Sequence, residues 1–168
     1  MQLCKQSCKI EKNMKEEFAL TEFYKTLCRQ LQALTDGIEY EIPNLANASA
    51  LLWQEMENIN WAGFYIFKDG KLILGPFQGK PACIIIPMGR GVCGTAAHED
   101  SITVVQDVLS FPGHIACDAD SRSEIVLPVH KNGMLWGVLD IDSPDKGRFG
   151  EDDREGLGEF VRILEKTL

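Results

Sequence analysis

The spacing of apolar residues changes character twice along the chain, and each change marks a change of element. From Glu16 to about Leu34, residues Leu20, Phe23, Leu27, Leu31 and Leu34 recur at steps of three and four, the period of an amphipathic helix. Thr35-Asp36-Gly37 ends that pattern. Glu39 to Pro43 reads as a linker, and Asn44 as the N-cap of a second helix with Leu45, Ala48, Leu52 and Met56 on one side.

Aromatic and β-branched runs then take over. Trp61 to Phe67 and Lys71 to Phe77 are joined through Lys68-Asp69-Gly70, where Asp-Gly favours a tight antiparallel hairpin. Ala82 to Ile86, Ile102 to Val105, Glu124 to Val129 and Leu135 to Ile141 read as further strands, the last two joined at Lys131-Asn132-Gly133. Between them, Gly89-Arg90-Gly91-Val92-Cys93-Gly94-Thr95 enters a short helix. Gly150 to Leu168 closes the chain as a helix with Leu157, Phe160, Val161 and Leu164 facing inward and three acids in its first turn, where they suit the helix dipole. Helices gathered at the two ends with strands between predict an α+β fold, a central antiparallel sheet with N- and C-terminal helices packed against it.

A chain of 168 residues is long enough for one domain with its own core. Residues 1–15 read as a polar leader and 16–168 as the domain. The net charge of -8 argues against a nucleic-acid partner, which lysine and arginine would have to hold. No apolar run reaches the roughly 20 residues of a membrane helix, and the leader has no secretory pattern, so the expected location is the cytoplasm. Of the six cysteines, those in a reducing compartment are expected to rest as thiols, with any disulfide transient and catalytic. Cys28 falls among the apolar positions of the first helix and reads as core; Cys4 and Cys8 lie in the leader and receive no role.

Cys117 is placed for chemistry. It sits in a loop of small and charged residues between Pro112-Gly113 and the strand that begins at Glu124, where a rigid sheet can hold a reachable thiol. Asp118 and Asp120 would disfavour its thiolate, and Arg122 and His114 favour it. Side chains two apart on a strand share a face, so Asp140 and Asp142 line one surface and Glu124 can join them. Such crowding raises carboxyl pKa values and leaves one of them able to act as an acid. Trp61 and Tyr65, also on one face, wall a slot or belong to the core, and Arg90 with its glycines reads as a tight turn or an anion-binding one. The spacing lacks a Cys-x-x-Cys or a compact Cys/His pair for zinc, and nothing in it sets an oxyanion hole for a Cys-His hydrolase. A thiol reductant fits the residues best: one cysteine as nucleophile, a second to resolve the product, and an acid for the departing oxygen.

Five segments in order, Asn60 to Tyr65, Gly75 to Cys83, Gly89 to Gly94, Phe111 to Glu124 and Gly137 to Pro144, resemble the free methionine-(R)-sulfoxide reductases, stand-alone GAF-domain enzymes. The resemblance implies a GAF-like fold and reduction of free L-methionine (R)-S-oxide. Within it Cys117 is the nucleophile that ends as a sulfenic acid, Cys83 resolves it as a disulfide, and Cys93 is a possible additional exchange cysteine. It further implies that Glu124, Asp140 and Asp142 bind the substrate amino group and assist at the sulfoxide, with Trp61 and Tyr65 around its methyl group. No bound cofactor or metal is implied, thioredoxin is the reductant, and the assembly is a homodimer. The competing expectation is a non-catalytic GAF module that senses a ligand or redox state.

Overall fold

The computed structural model describes residues 22–113, 115 and 117–168. The leader with Cys4 and Cys8, the expected helix start at Glu16, and His114 lie outside the described residues. Among the described residues four α-helices, α1 (22–35), α2 (Glu41–Glu55), α3 (Gly91–Glu99) and α4 (Glu151–Glu165), accompany six strands. The strands are β1 (Trp61–Lys68), β2 (Lys71–Gly79), β3 (Ile85–Pro87), β4 (Thr103–Val105), β5 (Ser123–Lys131) and β6 (Met134–Ser143). All neighbours pair antiparallel in the order β3-β2-β1-β6-β5-β4. This is the α+β architecture read from the sequence.

Alternation along the strands divides the core in two. Ala62, Phe64, Ile125, Leu127, Leu139 and Ile141 face Leu27, Leu31, Leu45, Leu52, Leu157 and Phe160 of α1, α2 and α4. Each such side chain, fully buried, contributes roughly 1.5–3 kcal/mol to folding. Trp61, Tyr65, Val126 and Val138 point to the opposite face, where Val92, Cys93, Ala96 and Ala97 of α3 meet them. Asp69-Gly70 and Asn132-Gly133 turn their hairpins with φ of 52°, 75°, 54° and 74°, the left-handed pair that a two-residue turn requires.

Several boundaries differ from the sequence reading. Glu39 to Pro43 is not a linker throughout: α2 starts at Glu41 behind Tyr40, and Asn44 lies inside it rather than capping it. Pro43 fits because the first turn of a helix has no acceptor for its missing N–H. Asn44 instead turns inward and donates to the Ile38 carbonyl at 3.0 Å. Leu34 is 44% exposed and outside the core, because the inward face continues from Leu31 to Thr35, which is 3% exposed. The strand expected over Ala82 to Ile86 shrinks to Ile85–Pro87, which releases Cys83 into the loop before it. Cys28 is buried as expected, and desolvation pushes its thiol up to about 11.

Candidate active site

Strand register sets the site. Across β1, β6 and β5, Trp61 pairs with Asp142 and Asp142 with Glu124; one step along, Gly63 pairs with Asp140 and Asp140 with Val126. The three acids therefore share the face opposite α1, α2 and α4, as their spacing predicts. Glu124 and Asp140 are each only 6% exposed. Over them lies the first turn of α3, from which the buried Cys93 thiol donates to Glu124 Oε1 at 3.7 Å.

The wall of the site comes from two loops. Cys83, between β2 and β3, and Cys117, in the loop before β5, are joined as a disulfide with Cα atoms 5.5 Å apart, an ordinary span for such a bridge. Cys117 lines one small cavity together with Cys93, Glu124, Asp140, Asp142 and Tyr65. The cavity is about 30 Å³, room for a water or a single ion rather than for an amino acid. Trp61 stands beside it, stacked between Tyr65 and Phe77 at ring-centroid distances of 5.8 and 5.2 Å. Its indole N–H donates to the Lys80 carbonyl at 3.2 Å. Trp61 and Tyr65 are thus buried core residues, as one of the two sequence readings had it, and Tyr65 also lines the cavity.

Burial and mutual repulsion act together on the acids. Desolvation first, then the charges of Asp140 and Asp142, push Glu124 well above the usual carboxyl range. Asp142 is raised by burial and by Asp140. Asp140 rises only to about 6, because burial is opposed by hydrogen bonding to Cys93 and Glu124. Near neutral pH the arrangement favours a charged Asp140 beside a protonated Glu124. Among the described residues Asp140 Oδ1 is buried without a hydrogen-bond partner, which leaves it an acceptor for a donor group. Burial and the neighbouring acids also raise the Cys93 thiol well above its ordinary value, so it rests protonated.

Other groups settle the loop's charge. Lys80 bridges Asp118 at 3.2 Å and Asp120 at 2.5 Å, which offsets the opposition these acids would offer to a thiolate. The Asp120 backbone N–H, with Lys80 and Asn60, holds Asp118 below the usual range. Arg122 does not serve Cys117 as the sequence reading allowed: its guanidinium donates to the Ala119 and Ser121 carbonyls and holds the loop's own turn. Asn60 also fastens the loop, donating to Asp118 at 3.1 Å and Ser121 at 3.0 Å. Lys80, Asn60 and Ser121 escaped sequence reasoning, since partners tens of positions apart leave no local pattern. Arg90 and Gly91 also line the cavity, and α3 begins there with no side-chain cap, leaving first-turn N–H groups for an anion.

The sheet, the uncapped helix and the cysteine pair together define a GAF domain equipped for thiol chemistry. Residues 20–168 match the GAF domain family. A free methionine-R-sulfoxide reductase of Escherichia coli is 53% identical over 148 residues, 88% of this chain and 90% of that one. One of Saccharomyces cerevisiae is 44% identical over 154 residues, 87% and 86% of the two chains. The structure of the Neisseria meningitidis enzyme of that name, in complex with its substrate, superposes with a TM-score of 0.84 at 42% identity, covering 88% of this chain and 89% of its own. The chain belongs to the GAF-domain family and, within it, to the free methionine-R-sulfoxide reductases.

Proposed function

We propose that the protein reduces free L-methionine (R)-S-oxide to L-methionine. The observation that carries this reading is the Cys83–Cys117 disulfide beside buried Glu124 and Asp140 and half-buried Asp142, with Asp140 Oδ1 unpartnered among the described residues. The Cys117 thiolate attacks the sulfoxide sulfur while the oxygen takes up a proton; the hydroxyl then passes to Cys117 Sγ as the transient S–S bond and the S–O bond to the methionine sulfur both break, releasing methionine and leaving Cys117 as a sulfenic acid. Cys83 then attacks that sulfur, water leaves, and the disulfide forms. Two thiols of thioredoxin return the pair to the reduced state.

In this reading ionised Asp140 takes the substrate ammonium, with Asp142 beside it, and Glu124 supplies the proton for the departing oxygen. The α3 N-terminus and Arg90 take the carboxylate, and Trp61 and Tyr65 enclose the methyl group. A methionine within a peptide has lost both charged groups, each worth about 1.5–3 kcal/mol as a hydrogen-bonding partner. Cys93, buried and protonated, is an additional exchange thiol at most. Residues 16–168 act as the catalytic domain, behind a leader without a catalytic part, in a cytoplasmic homodimer whose mass sedimentation would check.

The test supplies thioredoxin, its reductase and NADPH with the free R, free S and N-acetylated R sulfoxides in turn. Turnover of the free R form alone is expected; none with any form, with the cysteines shown to be reduced, turns the reading toward a sensing module. Cys117→Ser is expected to abolish reduction, since a hydroxyl is a poor nucleophile toward sulfur. Cys83→Ser should complete one turnover and then stall with thioredoxin; a Cys83→Ser protein that cycles normally removes Cys83 as the resolving residue.

A further inference from the structure

We propose that Cys93 Sγ and the carboxylates of Glu124 and Asp140 bind one thiophilic divalent cation, zinc above all, and that the disulfide form of the protein offers this site. The three donor atoms come from α3, β5 and β6 and lie within 4.8 Å of one another. Zinc bonds of about 2.3 Å to sulfur and 2.1 Å to oxygen, set at the tetrahedral angle, separate the two ligand atoms by about 3.6 Å. Cys93 Sγ and Glu124 Oε1 already stand 3.7 Å apart. The other pairs, all within 4.8 Å, close by up to about 1 Å on binding, and the sheet and helix that carry the ligands hold them near one another.

An independent observation points to a cation. Asp140 is 6% exposed and lines the cavity, and among the described residues its Oδ1 has no hydrogen-bond partner. Buried carboxylates are ordinarily paired with a cation or bound to a metal. Among the described residues no lysine or arginine forms a salt bridge with Glu124, Asp140 or Asp142, and the groups acting on them are one another, Cys93 and Asp118. A mixed thiolate and carboxylate set selects zinc over the harder magnesium and calcium.

Size divides this cation from the substrate, a distinction that rests on the function proposed above. In the disulfide form the cavity of about 30 Å³ admits an ion with a water as its fourth ligand and excludes an amino acid. When the disulfide opens, the metal occupies the place assigned to the substrate ammonium, so zinc and substrate compete. Binding displaces the thiol and carboxyl protons, and affinity therefore rises with pH.

The test uses the full chain carrying Cys4→Ser and Cys8→Ser, oxidised until Cys83 and Cys117 are paired, and titrated with cobalt(II) as a coloured stand-in for zinc. One equivalent giving a thiolate-to-cobalt charge-transfer band, bleached by zinc and untouched by magnesium, is the expected result. Cys93→Ala should remove the band. Asp140→Asn, which keeps the side-chain volume, should weaken binding by at least about 100-fold, since even outer-sphere partners of a metal contribute 10–100-fold. No charge-transfer band, a band surviving in Cys93→Ala, or unchanged affinity in Asp140→Asn overturns the proposal; Asp140→Asn decides it if Cys93→Ala does not fold. Because the titration reads no turnover, a working reductase that ignores cobalt overturns the metal site alone, and a cobalt-binding protein without activity overturns the reductase alone.

Discussion

Asp140 and Glu124 are neighbours on paired strands, and burial raises the pKa of both, but by unequal amounts. Glu124 faces two other acids, whereas Asp140 is partly relieved by hydrogen bonding and rises only to about 6. If Asp140 binds the ammonium in its ionised form, kcat/KM falls as pH drops through about 6 and the carboxylate takes up a proton. Asp140→Asn should remove that acid limb and raise KM by roughly 10–100-fold, the loss of one charge-assisted hydrogen bond of about 1.5–3 kcal/mol. Steady-state rates across pH for both proteins check this; an acid limb retained in Asp140→Asn assigns it to another group. The shared face of Asp140 and Asp142 was legible from a period of two, and Glu124 from its place at the start of a strand. Lys80 was not legible, because its partners Asp118 and Asp120 arrive through a loop closure that no local spacing records.

At the scale of elements, the short helix α3 joins the cysteines to the acids. It lies against the sheet because Gly94 has no side chain: a Cβ there would sit 2.3 Å from the Pro87 carbonyl oxygen, far inside van der Waals contact. Gly94→Ala is therefore expected to push α3 from β3, cost about 1–3 kcal/mol of stability as overpacking does, and lower kcat/KM through displaced Cys93 and first-turn N–H groups. Urea unfolding and turnover together check it; normal stability with normal activity shows that α3 has room to move. The sequence marked this segment as a glycine-rich helix entry without showing why the glycines were needed. The reason lies in the approach of α3 to β3, a tertiary distance. The misread start of α2 has a similar origin: Asn44 has a capping residue's chemistry, but burial beneath Ile38 uses its amide inside the helix.

For the whole molecule, holding buried Glu124 and Asp140 and half-buried Asp142 on one face under a helix ties stability to pH. Asp140 has an ordinary pKa of 3.8 and rises to about 6 in the fold. Below the ordinary value both folded and unfolded chains hold the proton, and the fold keeps this contribution. Between the two values the unfolded chain releases its proton first, so stability falls, by on the order of 3 kcal/mol once pH exceeds the folded value. Glu124 and Asp142 shift in the same direction. Unfolding free energy should decline from about pH 4 to about pH 7 and decline less in Asp140→Asn; an equal slope in both proteins removes Asp140 as a source. The small size of the cavity carries a second expectation: calorimetric titration should detect free methionine binding to the reduced protein and none to the disulfide form, and equal binding to both would show that the disulfide does not shut the site. The amino-acid sequence by itself determined the alternation that separates a helix-covered face from an acid-lined one, the two tight hairpin turns, and the order of segments that marks the family. These are local properties, set by backbone periodicity and residue type. Only the tertiary structure decided that Cys83 lies in a loop outside β3, that Lys80 pairs with the loop acids, and that Asp140 is buried with one oxygen unpartnered among the described residues. Each depends on distances between distant parts of the chain, and those distances exist only once the core has packed.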